Sequence, residues 1–465
     1  MSARPAERKL NLHMKIMLGV FMGLFVLLGT YLFYSTITYG EEWFASSFNP
    51  RISASRNIAR AGAIYDRNGL PLAWSVGDTR HYAENEETRR AVSHVVGDVY
   101  GKSMGAETYF AKYLYGYDKG VLDRFTSAVA GEDRGGDVYL TIDADLCRYA
   151  YQNMNYNGAV VVMNYRTGEV LAEVSNPTFD PEQISQVSSE EDEGGSEYLN
   201  RVTQGRYPPG STMKIVTTAS ALRNGMTGLV VECGDVEIIA GQRVTCREHG
   251  TEDLTSAFED SCNIYFAELA VDLGASELTL SADDALFNHP WNLPDFSMLE
   301  SSFQPGNNDG DLAWAGIGQY KDLITPMHNM LISAAVGNGG TMMRPGTLLD
   351  VRYGDRSAVS FQPTALRTIF DPQVTSTLAE LMRKTVEEGT ATSADIDAAA
   401  VCGKTGTAEY TEDGEVKNHS WFVGFIEDEA HPIAIAVILE GAGFGSRYAA
   451  PLAGSVLARA VELGY

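Results

Sequence analysis

The chain opens on an unbroken apolar run. Ile16 to Tyr34 reads IMLGVFMGLFVLLGTYLFY without a charge. At a rise of 1.5 Å per residue such a run makes a helix of roughly 29 Å, long enough to cross a hydrocarbon core. Downstream the pattern becomes short and alternating. Ala61–Gly69 reads as a strand entering an Asn-Gly turn, and Val138–Asp143 as a strand whose last residue suits the N-cap of a helix running to Asn153. Gly158–Met163 and Glu169–Val174 predict a hairpin turned by Arg166-Thr167-Gly168. Near the C-terminus Val401–Tyr410, Ser420–Ile426 and Ile433–Leu439 predict three strands joined by short turns, and therefore antiparallel. A closing helix is expected over Ala449–Leu463, with helical segments between residues 211 and 390. Strands at both ends of a domain with helices between them predict an α+β fold, one mainly antiparallel sheet packed by helices. Residues 188–198, acidic and rich in Gly and Ser, read as a mobile loop.

The flanking charges orient the apolar run. Arg4, Arg8, Lys9 and Lys15 precede it; Glu41 and Glu42 follow. The positive-inside rule then predicts a cytoplasmic tail (1–15), a transmembrane anchor (16–35), a separate N-terminal module (36–156) and a catalytic-sized domain (157–465) outside the cytoplasm. A cleaved signal peptide is the competing reading, but the run exceeds the ~7–15 residues of a signal h-region. The net charge of −26, from 35 Lys and Arg against 61 Asp and Glu, argues against a nucleic-acid partner and against docking on an anionic leaflet. Of five cysteines, Cys233 and Cys246 are the expected disulfide pair, closing a short loop outside the cytoplasm. With no CxxC or HxxxH pair, the spacing does not resemble a zinc site, and no metal is expected.

The chemistry sits in three separated elements. In Pro208-Pro209-Gly210-Ser211-Thr212-Met213-Lys214 the i, i+3 spacing puts Ser211 and Lys214 on one helical face. A serine hydroxyl needs a base beside it, and a neutral Lys214 would be one if burial or nearby positive charge depressed its pKa. Alone, this tetrapeptide is better explained by a capping serine and a solvated lysine. Ser261-Cys262-Asn263 follows fifty residues later, and Lys404-Thr405-Gly406-Thr407 lies on a predicted strand, where Gly406 would let a substrate backbone approach. Trp421, one hairpin on, is a candidate cleft residue, though a core tryptophan is the plainer expectation. Glu409 reads as a solvated carboxylate. Cys262 and Cys402 flank these elements, which raises the question of redox sensitivity.

Order, spacing and flanking structure of these three elements resemble the class B penicillin-binding proteins, the membrane-anchored peptidoglycan D,D-transpeptidases, in their compact Gram-positive and actinobacterial form. Arg60–Gly69, Asp137–Asp143, Asn200-Arg201, Gly316-Ile317-Gly318-Gln319 and Trp421–Phe425 match further patches of that family. Tyr320 and Cys262 depart from its common residues without removing a catalytic atom. The resemblance implies Ser211 as nucleophile on the D-Ala-D-Ala end of a stem peptide, Lys214 as base and Ser261 as proton relay. It implies Asn263 as a substrate amide contact, and Lys404, Thr405, Gly406 and Thr407 as the carboxylate- and β-lactam-binding strand. It implies no cofactor, β-lactams as inhibitors, and a membrane glycan polymerase of the shape, elongation, division and sporulation type as partner. A D,D-carboxypeptidase, a serine β-lactamase or a β-lactam receptor would share the same acylation.

Overall fold

The computed structural model describes residues 5–44, 57–119, 134–184, 195–412 and 414–465. Most of the predicted acidic loop, and residues 1–4 of the tail, lie outside them. A five-stranded sheet, antiparallel throughout, organises the larger part of the chain. Its strands run in the order Val401–Glu412, Glu415–Ile426, Ile433–Leu439, Gly158–Asn164, Val170–Asn176. The expected strands are all present, and the second begins earlier than the apolar pattern suggests, at Glu415.

Both faces of this sheet are dry. Side chains alternate across a strand. Ala159, Val161, Trp421, Val423, Ala436 and Ile438 therefore join one apolar core, while Val160, Val162, Phe422, Ile435 and Val437 join the other. The first face is covered by helices Lys214–Arg223, Asn263–Asp284, Pro326–Gly337 and Pro372–Glu387, the second by Ala144–Asn153 and Ala449–Glu462. Double burial explains why the central strands read as continuous apolar runs. Asp143 caps its helix as expected, accepting from the N–H groups of Asp145 and Leu146 at 2.8 and 3.0 Å.

The N-terminal module carries a six-stranded sheet. Ile64–Tyr65 and Pro71–Val76 form the predicted hairpin, whose turn is held by Asp66 accepting from the N–H groups of Asn68 and Leu70 at 2.9 and 2.7 Å. Ile64–Tyr65 also pairs in parallel with Asp137–Leu140. Two strands from far down the chain, Leu348–Tyr353 and Arg356–Ser360, extend this sheet beyond Asp137–Leu140. The module is thus completed by residues from the later half of the sequence. Arg80 and Glu107 form a buried ion pair at 2.6 Å inside it.

At the N-terminus a single helix spans Pro5–Phe44, and within it His13–Ser35 is long and apolar enough to cross a membrane.

Candidate active site

Three elements converge because glycines let their backbones touch. Residues Gly210–Met213 form one 3-10 turn that leads directly into helix Lys214–Arg223. Gly210 adopts φ +55°, and a Cβ there would lie 2.6 Å from the carbonyl oxygen of Thr407. Gly318, at φ +75°, accepts a hydrogen bond from the Gly210 N–H at 2.8 Å, and a Cβ on it would lie 2.1 Å from the Gly210 oxygen. The turn carrying Ser211 is therefore pressed between the Gly316–Gln319 segment and the strand Val401–Glu412.

Ser211 is half-buried and lines a cleft of about 680 Å³. Lys214, one turn on, is fully buried. Its ammonium donates to the Ser261 carbonyl at 2.6 Å and to Asn263 Oδ1 at 2.8 Å, with Ser261 Oγ at 3.3 Å. Among the described residues its bonds thus go to Ser261 and Asn263, with Ser211 one turn away. Burial lowers its pKa to about 8, against a partial upward pull from Cys246, Cys262 and Cys233. Ser261 is held at φ +59°, a conformation rare for a side chain of its kind and typical of constrained sites. Asn263 begins helix Asn263–Asp284, and its Nδ2 donates to the Thr245 carbonyl at 3.0 Å.

Strand parity decides what the third element does. Thr405, Thr407 and Glu409 line the cleft. Cys402 and Ala408 face the helices, and so does Lys404, whose Nζ lies fully buried 5.5 Å from the Phe258 ring with no hydrogen-bond partner among the described residues. Burial first, then the charge of Lys214, holds its pKa well below the ordinary lysine range. Lys404 therefore sits behind the cleft wall while the two threonines form the wall. Thr405 Oγ1 donates to Thr390 Oγ1 at 2.9 Å.

The strand's glycine and the tryptophan of the next strand both pack inward, the tryptophan in the core as the plainer expectation had it. Gly406 is buried against the nucleophile turn, where a Cβ would meet Trp421 Cβ, the Pro209 oxygen and Thr212 Cγ2 at 3.0–3.1 Å, so its small size serves that contact. Trp421 is fully buried and is no part of the cleft lining. Its indole N–H donates to the Pro208 carbonyl at 3.0 Å and so anchors the turn from below. His419, stacked on Tyr410 at 3.9 Å, is likewise buried, with its pKa lowered to about 4 by burial. Glu409 is exposed, as expected.

The expected Cys233–Cys246 disulfide is not formed; all five cysteines are free. Cys233 and Cys246 instead gather with His249 and Cys262 beside the cleft, all four ligand atoms within 4.8 Å of one another. Contiguous spacing rules gave no sign of this, because the donors come from separate segments. Thr390, Gln319, Trp314, Asn418, Phe444 and Ser446 also line the cleft. Only Gln319 had a sequence signal, through the Gly316–Gln319 patch.

A model described as "Penicillin binding protein transpeptidase domain" matches residues 158–458. The chain is 30% identical over 397 residues to the peptidoglycan D,D-transpeptidase PbpA of Mycolicibacterium smegmatis, covering 78% of this chain and 80% of that protein. It is 30% identical over 376 residues to the PbpA of Mycobacterium tuberculosis H37Rv, covering 73% and 75%. The ceftriaxone acyl-enzyme complex of penicillin-binding protein A from M. tuberculosis matches with a TM-score of 0.79 at 28% identity, over 87% of this chain and 99% of that one. The D,D-transpeptidase domain of a peptidoglycan glycosyltransferase from Eggerthella lenta matches with a TM-score of 0.75 at 27% identity, over 87% and 98%.

Proposed function

Because the chain belongs to the penicillin-binding protein transpeptidase family, we propose that it is a peptidoglycan D,D-transpeptidase acting through an acyl-enzyme on Ser211. The observation that carries this reading is Lys214. It is buried, its pKa is lowered to about 8, and it joins Ser261 and Asn263 one turn from Ser211. A lysine kept partly neutral near pH 7 is a competent base, and burial is what keeps it so.

In this mechanism Ser211 Oγ attacks the carbonyl between the two terminal D-Ala units and Lys214 accepts its proton. The backbone N–H groups of Ser211 and Thr407 receive the oxyanion; one such donor is worth about 10²–10³ in rate. Ser261, within reach of Lys214, returns a proton to the leaving D-Ala, and Asn263 orients the substrate amide. Thr405 and Thr407 hold the terminal carboxylate at the cleft edge, with Lys404 packed behind the same strand. An amine of a neighbouring stem peptide then takes the acyl group, and a β-lactam stops the cycle at the acyl stage.

The apolar helix would anchor the protein, with residues 1–15 in the cytoplasm and the catalytic domain outside. A membrane glycan polymerase would supply the nascent strands. The test is turnover of a lipid-linked, pentapeptide-bearing glycan by the purified full chain. Cross-linked dimer with release of one D-Ala per link is expected, and none from Ser211→Ala. Release of D-Ala without dimer would overturn the transpeptidase reading in favour of a carboxypeptidase.

A further inference from the structure

A second groove opens beside the reaction cleft, and the acyl-transfer mechanism makes no use of it. It lies between the end of helix Ala144–Asn153 and the start of helix Ala449–Glu462 and holds about 290 Å³. That is the scale of the smallest ligand sites, ~300 Å³. One short segment serves both places. Phe444 and Ser446 line the cleft, while Arg447 and Tyr448 line the groove. Gly445 between them is packed on the reaction strand. Its N–H donates to Thr407 Oγ1 at 3.4 Å, and a Cβ on it would lie 2.4 Å from the Gly406 oxygen. The length of two residues then keeps the Arg447 backbone within about 12 Å of the Thr407 hydroxyl.

The lining suits a sugar. Tyr156 and Tyr448 meet edge to face, centroids 5.4 Å apart at 74°, and Tyr156 keeps 37% of its surface open. The C–H face of a pyranose packs on such a ring, while its hydroxyl and acetamido groups need hydrogen-bonding side chains at the rim. Asn153, Asn155 and Arg447 supply them. Asn153 spends its Nδ2 on the Tyr149 carbonyl at 2.8 Å, which leaves Oδ1 to accept from a hydroxyl. The Arg447 guanidinium lies 5.4 Å from the Tyr448 ring and has no carboxylate partner among the described residues, so its N–H groups are open to a ligand oxygen. Among the described residues no Asp or Glu lines the groove, in a chain that has 61 of them. Such a lining favours a neutral or weakly acidic ligand over a cationic one. The platform is also held still. The Tyr156 carbonyl accepts from Asn176 Nδ2 at 3.0 Å, and the Glu440 N–H donates to the Asn157 carbonyl at 2.7 Å, which ties the turn after Asn153 to two strands of the catalytic sheet.

We propose that this groove binds an N-acetylated disaccharide of the glycan strand and so presents the strand's own stem peptide to Ser211. Tyr156 is the stacking platform, and Arg447 meets the lactyl end of the sugar that carries the peptide. An extended pentapeptide reaches ~17 Å, enough to run from the groove to the cleft. Tethering the donor in this way raises its effective concentration at the nucleophile. The choice of glycan rests on the acyl-transfer reading; the groove itself is separate from the reacting groups.

Binding is read without turnover. The full Ser211→Ala chain in detergent, titrated by calorimetry with soluble glycan strands stripped of their peptides, should bind them. Adding Tyr156→Ala or Arg447→Ala should weaken that binding about tenfold, the worth of one aromatic or charged contact. Tyr156→Phe, which keeps the ring, should bind like the parent. In the active chain Tyr156→Ala and Arg447→Ala should react with penicillin at the wild-type rate, because neither residue lines the cleft. With a disaccharide–pentapeptide donor both should raise KM about tenfold at unchanged kcat, the mark of lost uniform binding. With the bare pentapeptide KM should not move. Arg447 is exposed, so its variant carries the test should Tyr156→Ala fail to fold. Absence of penicillin acylation in the wild type would count against the acyl-transfer reading, whereas the titration reads the groove alone. Stripped strands that do not bind, strands that bind Arg447→Ala as tightly as the parent, or an equal rise in KM for sugar-bearing and bare peptide would each overturn the proposal.

Discussion

The two walls of the cleft are built on different physics. One wall, the strand Val401–Glu412, is the edge of a sheet whose both faces are buried in apolar side chains. The other, Val231–Glu252 with the Ser261–Asn263 turn, has a thin core, a strained serine and a knot of sulfur and imidazole. Apolar burial is non-directional and tolerates exchange among similar side chains. Polar and ligand geometry is directional and fails when one partner is lost. The sheet wall should therefore lose stability before it loses chemistry when damaged, and the polar wall the reverse.

Four variants break or sharpen that contrast. The largest effect belongs to the group the polar wall positions. Lys214→Ala should slow penicillin acylation by about 10²–10⁴, the usual weight of a general base. In the wild type the neutral form of Lys214 is the active one, so the rate should rise about tenfold per pH unit from below and level off above its pKa of about 8. Ser261 and Asn263 accept from this ammonium, burial lowers its pKa, and Cys246, Cys262 and Cys233 pull it back up. A flat stopped-flow profile between pH 6 and 9 would remove Lys214 from the role of base.

Gly318→Ala comes next. Its Cβ would press the Gly210 oxygen from a left-handed conformation that costs a non-glycine residue about 1–3 kcal/mol. Displacing the nucleophile turn by about 1 Å should slow acylation about 100-fold. Trp421→Phe should be milder. It leaves the Pro208 carbonyl without its indole donor, at a cost of about 1–3 kcal/mol in urea unfolding, with a several-fold slower acylation. Ile435→Val, in the middle of the sheet, should be the smallest in rate: about 0.5–1.5 kcal/mol less stable by urea unfolding, with the acylation rate constant unchanged. A large rate loss in Ile435→Val with intact folding would erase the distinction between the walls.

What the sequence made legible follows the same division. The hairpins, the three late strands, the Asp143 cap and the closing helix all follow from local period and turn chemistry, and they form as expected. The nucleophile and its lysine are readable because three residues of helix set their spacing. Pairings between distant segments are not readable in this way. Leu348–Tyr353 and Arg356–Ser360 joined the N-terminal sheet by contacts made some two hundred residues away in sequence. Cys233, Cys246, His249 and Cys262 meet only after two strand pairs and a helix turn have folded. Lys404 illustrates an intermediate case: its strand was legible, but its inward side depends on which parity faces the helices, and a one-residue change of parity would exchange it with Thr405.

The most direct test of acyl transfer through Ser211 is the site of the covalent adduct. The full chain incubated with penicillin G, digested and mapped by tandem mass spectrometry should carry one penicilloyl group on Ser211, with none anywhere in Ser211→Ala. An adduct on another residue, or an unmodified Ser211 at saturating penicillin, would contradict it.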